Sequence, residues 1–105
     1  MTIQEITVDQ LALRLAHGGR VIDVREPAEF ERARLDASAS IPLATVPERI
    51  DEFRGDDPTY VICQSGGRSM KACAFLAEQG VDAVNVSGGM MAWISSARDY
   101  VCGPA

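Results

Sequence analysis

A cysteine at the end of an apolar run, two glycines, an arginine and a helix start fall within seven residues, Cys63-Gln64-Ser65-Gly66-Gly67-Arg68-Ser69. The residue types suit an anion held by backbone. Gly66 and Gly67 let the chain curl tightly with N–H groups turned inward, and a following helix adds the positive end of its dipole. A thiol in such a ring is pulled from about 8.5 toward neutrality, so Cys63 is expected to be a thiolate nucleophile. Arg68, permanently charged, is expected either to brace the loop through backbone carbonyls or to clamp an oxyanion, and Ser69 to cap the helix. No histidine lies nearby in the sequence, and none is required if electrostatics alone ionise the sulfur. Two reactions remain open for such a cysteine: taking a sulfur atom as a persulfide, or attacking a tetrahedral oxyanion such as phosphate.

The elements around this loop must place it at the end of a strand. Short strands and helices alternate, which predicts an α/β chain with a mainly parallel sheet of about five strands and helices on both faces. The predicted strands are Ile3 to Ile6, Arg20 to Val24, Ala39 to Ile41, Thr59 to Ile62 and Asp82 to Val86. Thr7 and Gln10 form a capping box for a helix reaching His17, with Leu11, Leu13 and Leu15 marking it. Pro27 opens a short helical turn from Ala28 to Arg32, and Val46 to Phe53 reads as a helix with Ile50 and Phe53 inward. Ser69 to Gln79 reads as a helix with Met70, Cys73, Ala74 and Ala77 on its apolar stripe, stopped at Gly80. A last helix follows Gly88-Gly89 around Met91, Trp93 and Ile94, and Tyr100 and Val101 are expected to pack back. In an open parallel sheet ligands gather at the carboxyl ends of strands, where Cys63 falls.

Composition narrows the functional classes. With 105 residues and 47% hydrophobic content the chain can bury one core, so a single domain over residues 1–105 is expected. A net charge of −5 with scattered bases argues against nucleic acid as a partner. No apolar run reaches the roughly 20 residues that span a bilayer, and the first residues lack the pattern of a signal peptide, so a cytoplasmic location is expected. Three cysteines, an odd number without framework spacing, agree with a reducing compartment. A single histidine, His17, and no C-x-x-C pair argue against a metal site. Cys73 reads as a core residue, with a resolving role toward oxidised Cys63 as its alternative, and Cys102 as a free thiol in the tail.

Three ordered blocks, Val21 to Phe30 (VIDVREPAEF), the loop itself and Val86 to Trp93 (VSGGMMAW), together resemble the single-domain rhodaneses of the rhodanese-like sulfurtransferase family. The resemblance covers nearly the whole chain. It implies that Cys63 carries a persulfide within a loop from Cys63 to Arg68, that no cofactor is used, and that Asp23 and Arg25 support the loop rather than react. It also implies a small sulfur donor and a thiol or cyanide acceptor, with a thiol-carrying protein as a further acceptor. Related phosphatases on this fold carry one more residue between cysteine and arginine, so the shorter loop favours sulfur over phosphoryl. Gln64 and Ser65 are uncharged where thiosulfate-using relatives often carry basic groups, which implies that thiosulfate is a poor donor. The alternatives are a non-catalytic interaction module, or a phosphatase or arsenate reductase. After Phe30 the chain departs from the family, with Ala33-Arg34-Leu35-Asp36-Ala37-Ser38 in place of a glycine-histidine-isoleucine-proline-glycine-alanine segment.

Overall fold

A computed structural model describes residues 2–104. Five strands, β1 (Glu5–Ile6), β2 (Arg20–Asp23), β3 (Ala39–Ser40), β4 (Thr59–Ile62) and β5 (Ala83–Val86), form one sheet in the order β1-β5-β4-β2-β3. Every pairing is parallel, and β4 lies at the centre with Tyr60 opposite both Val21 and Val84. All four β4 residues are buried, as a strand covered on both faces must be.

The helices are α1 (Val8–Ala16), α2 (Pro27–Arg32), α3 (Gly67–Glu78) and α4 (Gly89–Ser95). On one face Cys73, Leu76 and Ala72 of α3 pack with Phe53 and Val46 against Ile22 and Val61. On the other, Leu11 of α1 and Met90 and Trp93 of α4 pack with Leu35 against Val21, Ile62 and Val84. Each such fully buried aliphatic side chain contributes about 1.5–3 kcal/mol.

The capping box of α1 is present as expected, with Thr7 accepting from the Gln10 amide and Gln10 accepting from the Thr7 amide. Leu13, however, is 64% exposed. The buried side of α1 runs through Val8, Leu11, Ala12 and Leu15, the i, i+3, i+4, i+7 spacing that a helix requires. The stripe on α3 is likewise shifted: Ser69, Ala72, Cys73 and Leu76 are buried, while Ala74 is exposed. The helix expected from Val46 to Phe53 is replaced by two 3₁₀ segments, Leu43–Glu48 and Ile50–Phe53, broken at Arg49. Because the segment begins at Leu43, Pro47 is its fifth residue and has no N–H to give the Leu43 carbonyl, the bond that an α-helix there would need. Phe53 still reaches the core, and Ile50 packs against it partly buried.

The tail is tied down through the segment that departs from the family pattern. Arg34 and Val101 exchange backbone hydrogen bonds at 2.8 Å, and the Arg34 guanidinium donates to the Gly103 carbonyl at 2.6 Å. Tyr100 remains 42% exposed, so only Val101 packs back. Ala37 adopts φ 64°, a left-handed conformation.

Candidate active site

Cys63 follows β4 directly and is 1% exposed. Its sulfur accepts the Gly66 N–H at 3.1 Å and lies 3.2 Å from the Ser69 hydroxyl. Burial alone would push the thiol up. The Ser69 hydroxyl and the backbone N–H groups of Ser69, Gly66 and Ser65 outweigh it, leaving the Cys63 pKa below its ordinary 9.0. The loop therefore stabilises negative sulfur with peptide dipoles, at the N-terminal end of the twelve-residue α3.

Two neighbouring elements aim those dipoles. The amides of Met90 and Met91, in the first turn of α4, donate to the carbonyls of Cys63 at 2.9 Å and Gln64 at 3.0 Å. In a trans peptide the N–H points opposite the C=O, so holding the Gln64 carbonyl toward α4 turns the Ser65 N–H toward the sulfur. Asn85 of β5 donates to the Gly66 carbonyl at 3.3 Å, and Gly66 itself sits at φ 106°, where a side chain would be strained. The approach of α4 is close: a Cβ on Gly89 would fall 2.3 Å from the Cys63 carbonyl oxygen and 2.7 Å from the Gln64 carbonyl carbon. Gly89 thus serves this contact as well as the turn expected from sequence.

Ser69 is not the cap of α3. The cap is Gly66, the helix begins at Gly67, and Ser69 is the third helical residue with its hydroxyl on the sulfur. Arg68 does not reach backbone carbonyls either; its two terminal nitrogens donate to the two carboxylate oxygens of Glu29 at 2.6 and 2.9 Å. The Arg68 guanidinium holds the Glu29 carboxyl down from 4.5 to about 2.

Behind the loop, Arg25 and Asp23 form a buried pair, 3% and 1% exposed, joined through Nη2 at 2.7 Å and Nε at 3.0 Å. Arg25 also donates to the Ala33 carbonyl at 2.6 Å and to the Gln64 side-chain oxygen at 3.3 Å. The pair therefore links the end of β2, the segment after α2 and the loop.

Residues 7–96 match the family model for the rhodanese-like domain. The chain belongs to the rhodanese-like family. It is similar to YtwF of Bacillus subtilis, 38% identical over 95 residues that cover 89% of this chain and 92% of that one. It is also similar to a protein of Allochromatium vinosum named sulfurtransferase, 36% identical over 94 residues, 87% and 88% of the two chains. A crystal structure of a rhodanese-related protein from Thermoplasma volcanium superposes with a TM-score of 0.87 at 32% identity, covering 93% of this chain and 97% of that one. The kinship is thus with the sulfurtransferase family, and the parallel five-stranded sheet is the rhodanese-like fold.

Within this rhodanese-like domain, a cleft of about 200 Å³ borders the loop, lined by Arg25, Glu29, Arg32, Ala33, Gln64 and Ile94. A larger cleft, about 630 Å³, lies toward the amino ends of β2 and β4 beside Arg14, Asp57 and Tyr60, and holds none of the candidate site residues. Cys73 is buried beneath α3; burial first, then the charges of Cys63 and Glu5, push its thiol up to about 12. Cys102 is exposed in the tail. His17 uses Nδ1 to bond the Leu13 carbonyl at 2.8 Å, as expected of a helix-ending residue. No helix among the described residues is long and apolar enough to cross a membrane.

Two site residues went unmarked in the sequence. Glu29 lies inside a block that was recognised, and the signal for it was Arg68 itself, a cation in a small loop that needs a carboxylate. Asn85 carried its own signal, an amide in the otherwise apolar run of β5, where a buried polar side chain needs a partner.

Proposed function

We propose that this domain transfers a sulfane sulfur through a Cys63 persulfide. In the first half, the Cys63 thiolate attacks the outer sulfur of a donor; the new S–S bond forms as the donor's own S–S bond breaks, and the electron pair departs with the leaving group. In the second half, a thiol or cyanide acceptor attacks that outer sulfur and Cys63 leaves as thiolate. The observation that carries the reading is the sulfur's position against the Gly66 N–H and the Ser69 hydroxyl, which favours thiolate without a general base. The outer sulfur of a persulfide is also an anion, and the same ring of donors serves it. Asp23, Arg25 and Gln64 hold the loop from behind, and Arg68 fixes it to α2 through Glu29. A small sulfur donor and a thiol, cyanide or thiol-carrying protein acceptor complete the cycle, with no organic cofactor.

Incubation with a panel of sulfane donors, followed by intact mass measurement, tests the reading. The mass should rise by one sulfur atom, fall back on adding cyanide, and stay unchanged in Cys63→Ser. Wild-type protein that gains no sulfur from any donor, or a Cys63→Ser protein that still gains it, would overturn the persulfide mechanism.

A further inference from the structure

The cation of the loop, Arg68, and the one bonded to it from behind, Arg25, are both matched by carboxylates, while Arg32 lines the cleft beside the loop. Arg25 is spent on Asp23 in a buried pair, and Arg68 is held by both oxygens of Glu29, with side chains 36% and 24% exposed. The low Glu29 pKa keeps that carboxylate charged at any working pH. Gln64 and Ser65, which form the rest of the loop, bring no charge. Hence the donors at Cys63 are the Ser69 hydroxyl and peptide dipoles, and a sulfur donor arriving beside an anionic sulfur meets no uncompensated cation on the loop itself to offset a second negative charge.

We infer that Glu29 is a specificity-determining residue that, by neutralising Arg68, selects sulfane donors with one negative charge over dianions such as thiosulfate. The inference rests on the sulfur-transfer reading above and adds the charge class of the donor. Both donors follow the same balance. With thiosulfate, the Cys63 thiolate bonds the sulfane sulfur and sulfite leaves with the electron pair of the broken S–S bond. With methanethiosulfonate, in which a methyl replaces one oxyanion, methanesulfinate leaves in the same way. Neither step moves a proton, so the two differ at the site chiefly in charge.

Glu29→Gln preserves shape and can still accept from the Glu26 N–H, which Glu29 Oε1 now accepts at 3.1 Å. It leaves Arg68 uncompensated. The experiment measures kcat/KM for loading Cys63 from thiosulfate and from methanethiosulfonate, with cyanide as acceptor. In wild type the monoanion should be preferred. In Glu29→Gln the ratio of thiosulfate to methanethiosulfonate should rise about tenfold, the size expected for one partly solvated charge. Glu29→Asp, which keeps the charge, should retain the wild-type ratio, a split that a purely structural role would not produce. Glu29→Ala makes the same charge change should Glu29→Gln not fold. An unchanged ratio in a neutral variant that still transfers sulfur would overturn the assignment of Glu29 and leave the persulfide mechanism standing. A wild type that loads from other donors of the panel but from neither of these would overturn the assignment alone, and one that loads from no donor at all would overturn both.

Discussion

Ser69→Ala removes one hydroxyl from the Cys63 sulfur and little else. The residue is fully buried and is not the helix cap, so alanine leaves a gap of one oxygen and no broken turn. Hydrogen bonds to charged groups contribute about 1.5–3 kcal/mol, and 1.36 kcal/mol corresponds to one pKa unit. The Gly66 N–H remains at 3.1 Å and sulfur is a diffuse acceptor, which places the effect at the lower end: the Cys63 pKa should rise by about one unit. The assay is thiolate absorbance against pH in a Cys102→Ser background. There Cys73, pushed up to about 12, stays silent, and the signal belongs to Cys63. Stability gives an independent check. A folded pKa below the unfolded 9.0 means that the thiolate's contribution is complete above 9.0 and is lost as pH falls through the folded value. Ser69→Ala should therefore lose about 1 kcal/mol above that pH and almost nothing well below it, where both proteins hold a neutral thiol. A pKa that coincides with wild type would refute the view that this hydroxyl helps to ionise the sulfur.

Two further substitutions test the frame around the loop. Gly89→Ala should lose more than about 2 kcal/mol in chemical denaturation, because the new Cβ meets backbone at 2.3 Å that cannot swing aside, and φ is 56°. Stability within experimental error of wild type would mean that α4 does not press on the loop as described. Ala37→Gly should stabilise by about 0.5 kcal/mol, since relief of a left-handed alanine exceeds the entropy that glycine adds to the unfolded chain. Thermal unfolding should show a rise of about 3 °C, and a fall would place the strain elsewhere.

The sheet was legible in the sequence because parallel strands buried on both faces are written as apolar runs: Thr59 to Ile62 was read without error, and β2 and β5 to within one residue. Cys63 was legible for a local reason, since strand, glycines and helix start are contiguous. What escaped was non-local. Nothing near Arg68 in the chain indicates that its partner is Glu29, 39 residues earlier, or that the Gly66 carbonyl is held by Asn85, 19 residues later. The Ser69 cap was misread because a serine at a helix start ordinarily serves the helix's own amides; here those amides face a sulfur, which takes the place of a cap. Within the segment that departs from the family pattern, Ala37 stands where that pattern has a glycine, and it occupies the left-handed geometry that glycine would accept without strain.

The use of peptide N–H groups in place of a bare cation has a consequence for turnover. In the proposed sulfur transfer, the negative charge would move outward by one S–S bond, from Sγ to the new terminal sulfur. A single fixed cation close to one of these positions would favour it over the other and slow either loading or release. A ring of dipoles spread over Ser65, Gly66 and Ser69 would change its interaction energy less between the two positions, keeping loaded and unloaded forms of the proposed cycle closer in free energy. Pairing Arg68 with Glu29 and Arg25 with Asp23 removes the two charges that would tilt this balance. On this reasoning the ion pairs do more than hold the loop: releasing Arg68 by Glu29→Gln should change the ratio of loaded to free Cys63 at a fixed ratio of donor to acceptor, as read by intact mass, and a ratio identical to wild type would refute it.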